Sequence, residues 1–260
     1  MKVIKYQGVT PLTHHFKRLL PAGLFLSFLA LLPMFNAGCF RPAAALSFVN
    51  KENEPQAKEA GRVPLALSQV DPPTERSLGR YGSIIQKYSD KYDLDWRLVL
   101  AVMRHESRFL PTATSHRGAF GLMQIMPTTQ LELAEKLGVK ETGSPSNNIK
   151  AGTYHLKSLF AAFDKADEES RIYLTLAAYN AGLNRILDAQ NIAAYLGDDP
   201  NNWESVRAAL PLLSKRYQTL HQMIWESGRP RAGYFSDWRQ TQSYVEAIRA
   251  HYDTYQVALR

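Results

Sequence analysis

The sequence predicts a mostly α-helical domain that stands behind an export signal and a linker. Three observations carry this reading. From Ser77 onward the apolar residues recur with a period near 3.6 rather than 2. Residues 1–38 combine a basic flank with a short apolar run. Between these regions lies a proline-rich stretch with no sustained apolar period. Over its 260 residues the chain is 45% apolar and 21% charged. That composition excludes a wholly disordered chain, a collagen-like repeat and a polytopic membrane protein.

The leader comes first. Lys17-Arg18 precede an almost wholly apolar run from Leu19 to Phe35. The run is short for a spanning helix and the right size for the core of an export signal. Asn36-Ala37-Gly38-Cys39 follows. Ala-Gly-Cys behind an apolar core resembles a bacterial lipobox, in which the cysteine is acylated and becomes the new N-terminus. Asn36 departs from the aliphatic residue usual at its position. A signal cut at Ala43-Ala44-Ala45, an uncleaved anchor and a buried core helix are the alternatives. Cys39 is the chain's one cysteine, so no intrachain disulfide forms. Residues 1–39 therefore read as an export or lipoprotein signal. No Asp follows Cys39, so an outer-membrane lipoprotein facing the periplasm is expected.

Residues 40–76 read as a flexible linker, with Pro42, Pro55, Pro64, Pro72 and Pro73 set among Lys, Glu, Gln and Ala. Residues 77–260 read as the folded body. Tyr81, Ile84, Ile85 and Tyr88 mark a first helix, and Asp95 caps a second running through Val99, Val102 and Met103. Ile149 to Phe163 carries a longer stripe. The segments 172–179, 186–196 and 244–255 read as further helices. Gly138, Gly143-Ser144-Pro145, Gly182, Asp198-Asp199-Pro200 and Gly228-Arg229-Pro230 punctuate them. Six to eight helices are expected around one core.

Charge narrows the function. Lys plus Arg is 31 against 24 acidic residues, a net charge of +7. Four of those cations lie in the first 38 residues, which contain no acid, so the remainder holds 27 against 24. A body this mildly basic does not suit a nucleic-acid binder, which needs a dense cationic face. It does suit an anionic polymer or a membrane surface.

Three segments could carry chemistry. Glu106 lies seven residues after Val99, four after Val102 and three after Met103, so its carboxyl sits at the end of an inward-facing stripe. Burial would raise its pKa toward neutrality and make it a proton donor. The alternative is a surface ion pair at a helix end. Ser115 to Pro127 contains Gly118, Gly121 and Gln124, and a neutral amide suits the hydroxyl and acetamido groups of sugars. An ordinary loop–helix junction is the alternative there. Ala178-Tyr179-Asn180-Ala181-Gly182, taken alone, reads as ordinary C-capping before it reads as a functional segment.

In order along the chain, Glu106-Ser107, Gly121-Leu122-Met123-Gln124 and Tyr179-Asn180-Ala181-Gly182 resemble the motifs of the Slt-type lytic murein transglycosylases, glycoside hydrolase family 23. Asn148-Ile149 with Gly152, and Thr241 with Tyr244-Val245, are similar to two further stretches. Leu210 to Ser214, after Asn202-Trp203, is most similar to the membrane-bound F-type branch. The resemblance spans about Tyr81 to Tyr252. It implies a lysozyme-like helical fold with a sugar-binding cleft. It also implies cleavage of the bond between N-acetylmuramic acid and N-acetylglucosamine in peptidoglycan, leaving 1,6-anhydro ends. By the same resemblance Glu106 is the catalytic acid, and Ser115, Gln124, Met126, Tyr179, Asn180 and Tyr244 contact substrate or acid.

One carboxyl suffices for that reaction, so no cofactor and no metal are expected. The expected partners are peptidoglycan glycan strands and, through Cys39, a membrane, with the protein monomeric. Two other functions fit the same motifs less well. A goose-type lysozyme would hydrolyse the same bond, which calls for a positioned water and usually a second carboxylate. A non-catalytic murein-binding lipoprotein would not need the acid at Glu106.

Overall fold

The computed structural model describes residues 70–260, which form an assembly of nine α-helices and two short 3₁₀ turns. Cys39, the leader and nearly all of the linker lie outside the described residues. Helix α1 spans Pro72–Tyr92, so it starts before the linker boundary expected at residue 76. The local chemistry explains the earlier start. Asp71 accepts a hydrogen bond from the Thr74 N–H, and Pro72-Pro73 occupy the first turn, where a missing N–H costs nothing.

Helix α2, Trp96–Ser107, is capped by the Asp95 carboxylate. Leu98 through Met103 are all buried, so this stretch of the helix is apolar all round and lies in the core. Then follow α3 (Pro127–Leu137), α4 (Pro145–Ala161), α5 (Glu168–Ala181), α6 (Leu183–Leu196) and α7 (Trp203–Ala209). The 3₁₀ turns Leu210–Leu213 and Lys215–Tyr217 lead to α8 (Gln218–Ile224), and α9 (Trp238–Ala258) closes the fold. Among the described residues β-structure is limited to the isolated bridges Thr114–Phe120 and Phe120–Ile125.

Helix α9 lies across both α2 and α5, and α1 packs on α4 and α2. Long-range hydrogen bonds fix these crossings. The Tyr252 hydroxyl donates to Asp95 at 2.9 Å, and the Thr74 and Tyr255 hydroxyls pair at 2.9 Å. Helices α5 and α6 meet at Gly182, whose φ of +91° breaks the helical path between them. The nine α-helices exceed the expected six to eight because α3 and α8 each bury a single residue and α7 is only seven residues long, too short for its stripe to repeat. Among the described residues, no helix is long and apolar enough to cross a membrane.

Candidate active site

Glu106 is the penultimate residue of α2 and keeps only part of its surface accessible. Just beyond it, Arg108 and Phe109 both adopt positive φ, +50° and +66°. Two successive left-handed residues without glycine reverse the chain sharply, at about 1 kcal/mol or more each. They release the chain into the segment 110–126, which folds back over the end of α2.

Burial pushes the Glu106 carboxyl up to about 7, against an opposing hydrogen bond from Tyr244. The Tyr244 hydroxyl, carried by α9, donates to Glu106 Oε1 at 2.5 Å. Burial, reinforced by the nearby Glu106 charge, drives the Tyr244 hydroxyl well above its ordinary pKa, so it stays a donor. The His105 ring meets the Tyr244 ring edge-on at 4.8 Å and packs against it. Tyr179 also senses Glu106, whose charge adds to burial in raising the Tyr179 hydroxyl.

The loop facing the acid is held from three helices, α2, α4 and α5. The Ser107 hydroxyl donates to the Leu122 carbonyl at 2.9 Å. The Tyr179 hydroxyl donates to the Met123 carbonyl at 2.8 Å. Asn148, fully buried in α4, accepts from the Met123 N–H and donates to the Phe120 and Thr142 carbonyls. Gly121, at φ +82°, packs so closely on Asn148 that a Cβ would lie 2.6 Å from its Cγ. Gly152 likewise leaves room for Met123, whose own Cβ would be 2.7 Å from an added methyl.

Gln124 sits at φ +45° and spends its amide nitrogen on the Ala113 and Gly121 carbonyls, 2.9 Å each. Its carbonyl oxygen is the half of the amide left to meet a ligand. Asn180 divides its amide similarly: Oδ1 accepts from the Thr241 hydroxyl at 2.8 Å. Gln124, Met126, Tyr179 and Asn180 line one cavity of about 530 Å³. Asn180 also lines a second, of about 140 Å³, against Asp237 and Thr241.

Glu106 and Tyr244 line neither cavity; Tyr179, whose hydroxyl the Glu106 charge reaches, lines the larger one. Ser115 is not brought to either cavity. Its hydroxyl accepts from the Ala119 N–H at 3.0 Å and closes its own tight loop. The cavities also expose residues that sequence reasoning passed over: Arg117, His155 and Arg185. The first lies inside the Ser115–Pro127 segment and the last three residues after Gly182, but only the fold brings them to one cavity. Burial lowers the pKa of His155, whose ring lies 5.3 Å from that of Tyr179. Among the described residues no group of three His, Cys, Asp or Glu is arranged to hold a metal.

Residues 83–202 match the transglycosylase SLT domain family. The membrane-bound lytic murein transglycosylase F of Desulfosudis oleivorans is 36% identical over 177 residues, 68% of this chain and 36% of that protein. Its counterpart in Pasteurella multocida is 35% identical over 187 residues, 71% of this chain and 36% of the relative. The chain thus spans about a third of the length of these curated relatives. A solved complex of a 70-kDa soluble lytic transglycosylase with bulgecin A aligns with a TM-score of 0.50 and 23% identity, covering 73% of this chain and 26% of that one. The fold is the mostly helical, lysozyme-like one expected from the sequence.

Proposed function

This chain carries a domain of the transglycosylase SLT family, and from that premise we propose that it is a lytic transglycosylase acting on peptidoglycan, with Glu106 as its acid and base. The observation that supports this most is a single carboxyl held near pKa 7 by burial and oriented by a tyrosine. Such a group is protonated enough to give a proton at neutral pH and ionised enough to take one back.

The reaction needs no more than that. Glu106 protonates the oxygen bridging N-acetylmuramic acid to N-acetylglucosamine, and the bond to the muramic anomeric carbon breaks. The acetamido oxygen of the same sugar stabilises the cationic carbon. The sugar's own 6-hydroxyl then attacks that carbon, and its proton passes to the Glu106 carboxylate. A 1,6-anhydro ring forms, the enzyme regains its proton, and no water is consumed. Intramolecular attack supplies an effective concentration of about 10⁵ M or more. Gln124 Oε1, the Asn180 amide and Met126 are the groups offered to the sugars, and Ser115 supports the loop that carries Gln124.

Mass spectrometry of purified sacculi after digestion tests the reading. Anhydro-muramyl ends are expected; reducing ends, one water heavier, would make the protein a hydrolase, with Asp237 the first candidate to position water.

The same proposal includes export. The relatives are described as membrane-bound. Cys39, behind the apolar run 19–35, is the residue we assign to acylation, with residues 1–39 as its signal, 40–71 as tether, and the domain facing the periplasm. Two or three acyl chains would hold it stably, where one would not. The intact mass of the mature N-terminus decides this: a chain starting at Leu46, or an unmodified Cys39, overturns the anchor alone.

A further inference from the structure

Arg117 and Arg185 both line the 530 Å³ cavity and the 140 Å³ cavity, so they stand on the wall the two share. Neither forms an ion pair among the described residues. Arg185 is nonetheless fixed. One guanidinium nitrogen donates to the Ala181 carbonyl at 2.7 Å, and the group stands 5.2 Å from the centre of the Phe235 ring. Its Nε is buried without a hydrogen-bond partner.

Asp188, one turn further along α6, is turned away and accepts from the Ala232 N–H at 2.8 Å. Arg185 also lies in the first turn of α6, which opens at Gly182 without a side-chain cap. A cation there opposes the helix dipole, whose positive end favours an anion. An immobilised arginine with an unsatisfied buried donor, a second arginine lining the same two cavities and an uncapped helix end all call for the same ligand chemistry. The acids on these walls, Glu132 in the larger cavity and Asp237 in the smaller, do not pair with either arginine.

We infer that Arg185 and Arg117 form a subsite for a carboxylate of the peptidoglycan strand. The inference rests on the peptidoglycan reading above. The carboxylate belongs either to the lactyl group of a stem-free muramic acid or to the peptide stem that otherwise occupies it. A planar guanidinium takes such a group in two parallel hydrogen bonds, which a lysine cannot reproduce.

The test uses the full chain with Glu106→Gln to silence turnover, and calorimetric titration with three ligands. These are neutral N-acetylglucosamine oligomers, glycan strands stripped of stems by an amidase, and stem-bearing strands. Arg185→Met is expected to weaken a carboxylate-bearing ligand about tenfold or more relative to the neutral oligomer. Arg185→Lys should recover part of that loss. A selective loss on stripped strands alone assigns the lactyl carboxylate; one on stem-bearing strands alone assigns the stem. Equal loss on all three ligands, or loss on none, overturns the subsite. Arg117→Met, at an exposed position, carries the same test if Arg185→Met does not fold. Failure of the unmutated chain to cut sacculi or bind any strand would instead bring down the peptidoglycan reading, and the subsite with it.

Discussion

The two sides of the candidate site are built on opposite principles. On the loop side, the backbone of Leu122-Met123 is tied down by side chains: Ser107, Tyr179 and Asn148 each close a hydrogen bond to it. On the acid side, Glu106 is walled in with a tyrosine rather than a cation, and its charged form is disfavoured. The loop side gains rigidity from these bonds. The acid side keeps a carboxyl that is still partly protonated at neutral pH. A carboxyl paired with arginine in the same place would be ionised at neutral pH and could not donate a proton. The helix pairing α2 on α9 supplies the rigidity that lets such a group persist.

The sharpest way to break this contrast is to remove the ionisation. Glu106→Gln is expected to reduce anhydro-product release from sacculi by about 10⁴-fold or more, since in the proposed reaction one carboxyl performs both proton transfers. The same change should stabilise the fold at alkaline pH. Between about 4.5 and 7 the native state binds a proton at Glu106 that the unfolded chain has already lost, so stability falls as pH rises through this window. The deficit is complete above about pH 7 and amounts to roughly 3 kcal/mol. Thermal melts should show the variant's advantage at pH 8 and not at pH 4. An equal advantage at both would mean that the carboxyl is not buried as an acid.

The loop side should break in the other direction. Gly121→Ala places a Cβ against Asn148 and forces a left-handed φ on alanine, which alone costs about 1–2 kcal/mol. Displacing Asn148 also threatens its two hydrogen bonds to the loop and a third to the Thr142 carbonyl. A loss of about 3 kcal/mol in stability is expected, with the melt lowered at all pH values alike. An unchanged melting temperature would show that the loop accommodates a methyl and that the cradle is not steric.

What the sequence made legible follows the same division. The central helices were readable because α2, α4 and α9 bury long stripes. Helix α8 buries only His221 and α3 only Leu133, so neither leaves a periodic trace. The start of α1 was hidden by Pro72-Pro73, which resemble linker yet fit a first helical turn. The inward face of Glu106 could be read from its spacing to Val99, Val102 and Met103. Its partner could not: Tyr244 is 138 residues away, and only the resemblance pointed to it. The arginine pair on the cavity wall left no local pattern at all.

The smallest expected effect is the most diagnostic. Tyr244→Phe keeps the ring that packs on His105 and removes only the hydroxyl that donates to Glu106. That hydrogen bond favours the carboxylate and holds the Glu106 pKa below where burial alone would set it. Without it the pKa rises further, so the alkaline limb of the cleavage profile should move to higher pH. Peak turnover should fall about tenfold, because the carboxylate that must recover the proton loses its partner and its fixed rotamer. Stability should change by only about 1 kcal/mol, as for a single hydrogen bond. A structural role alone would lower the melt without moving the limb. A limb displaced to lower pH would mean that the hydroxyl supports the protonated acid instead, reversing the assignment of Tyr244 as a donor.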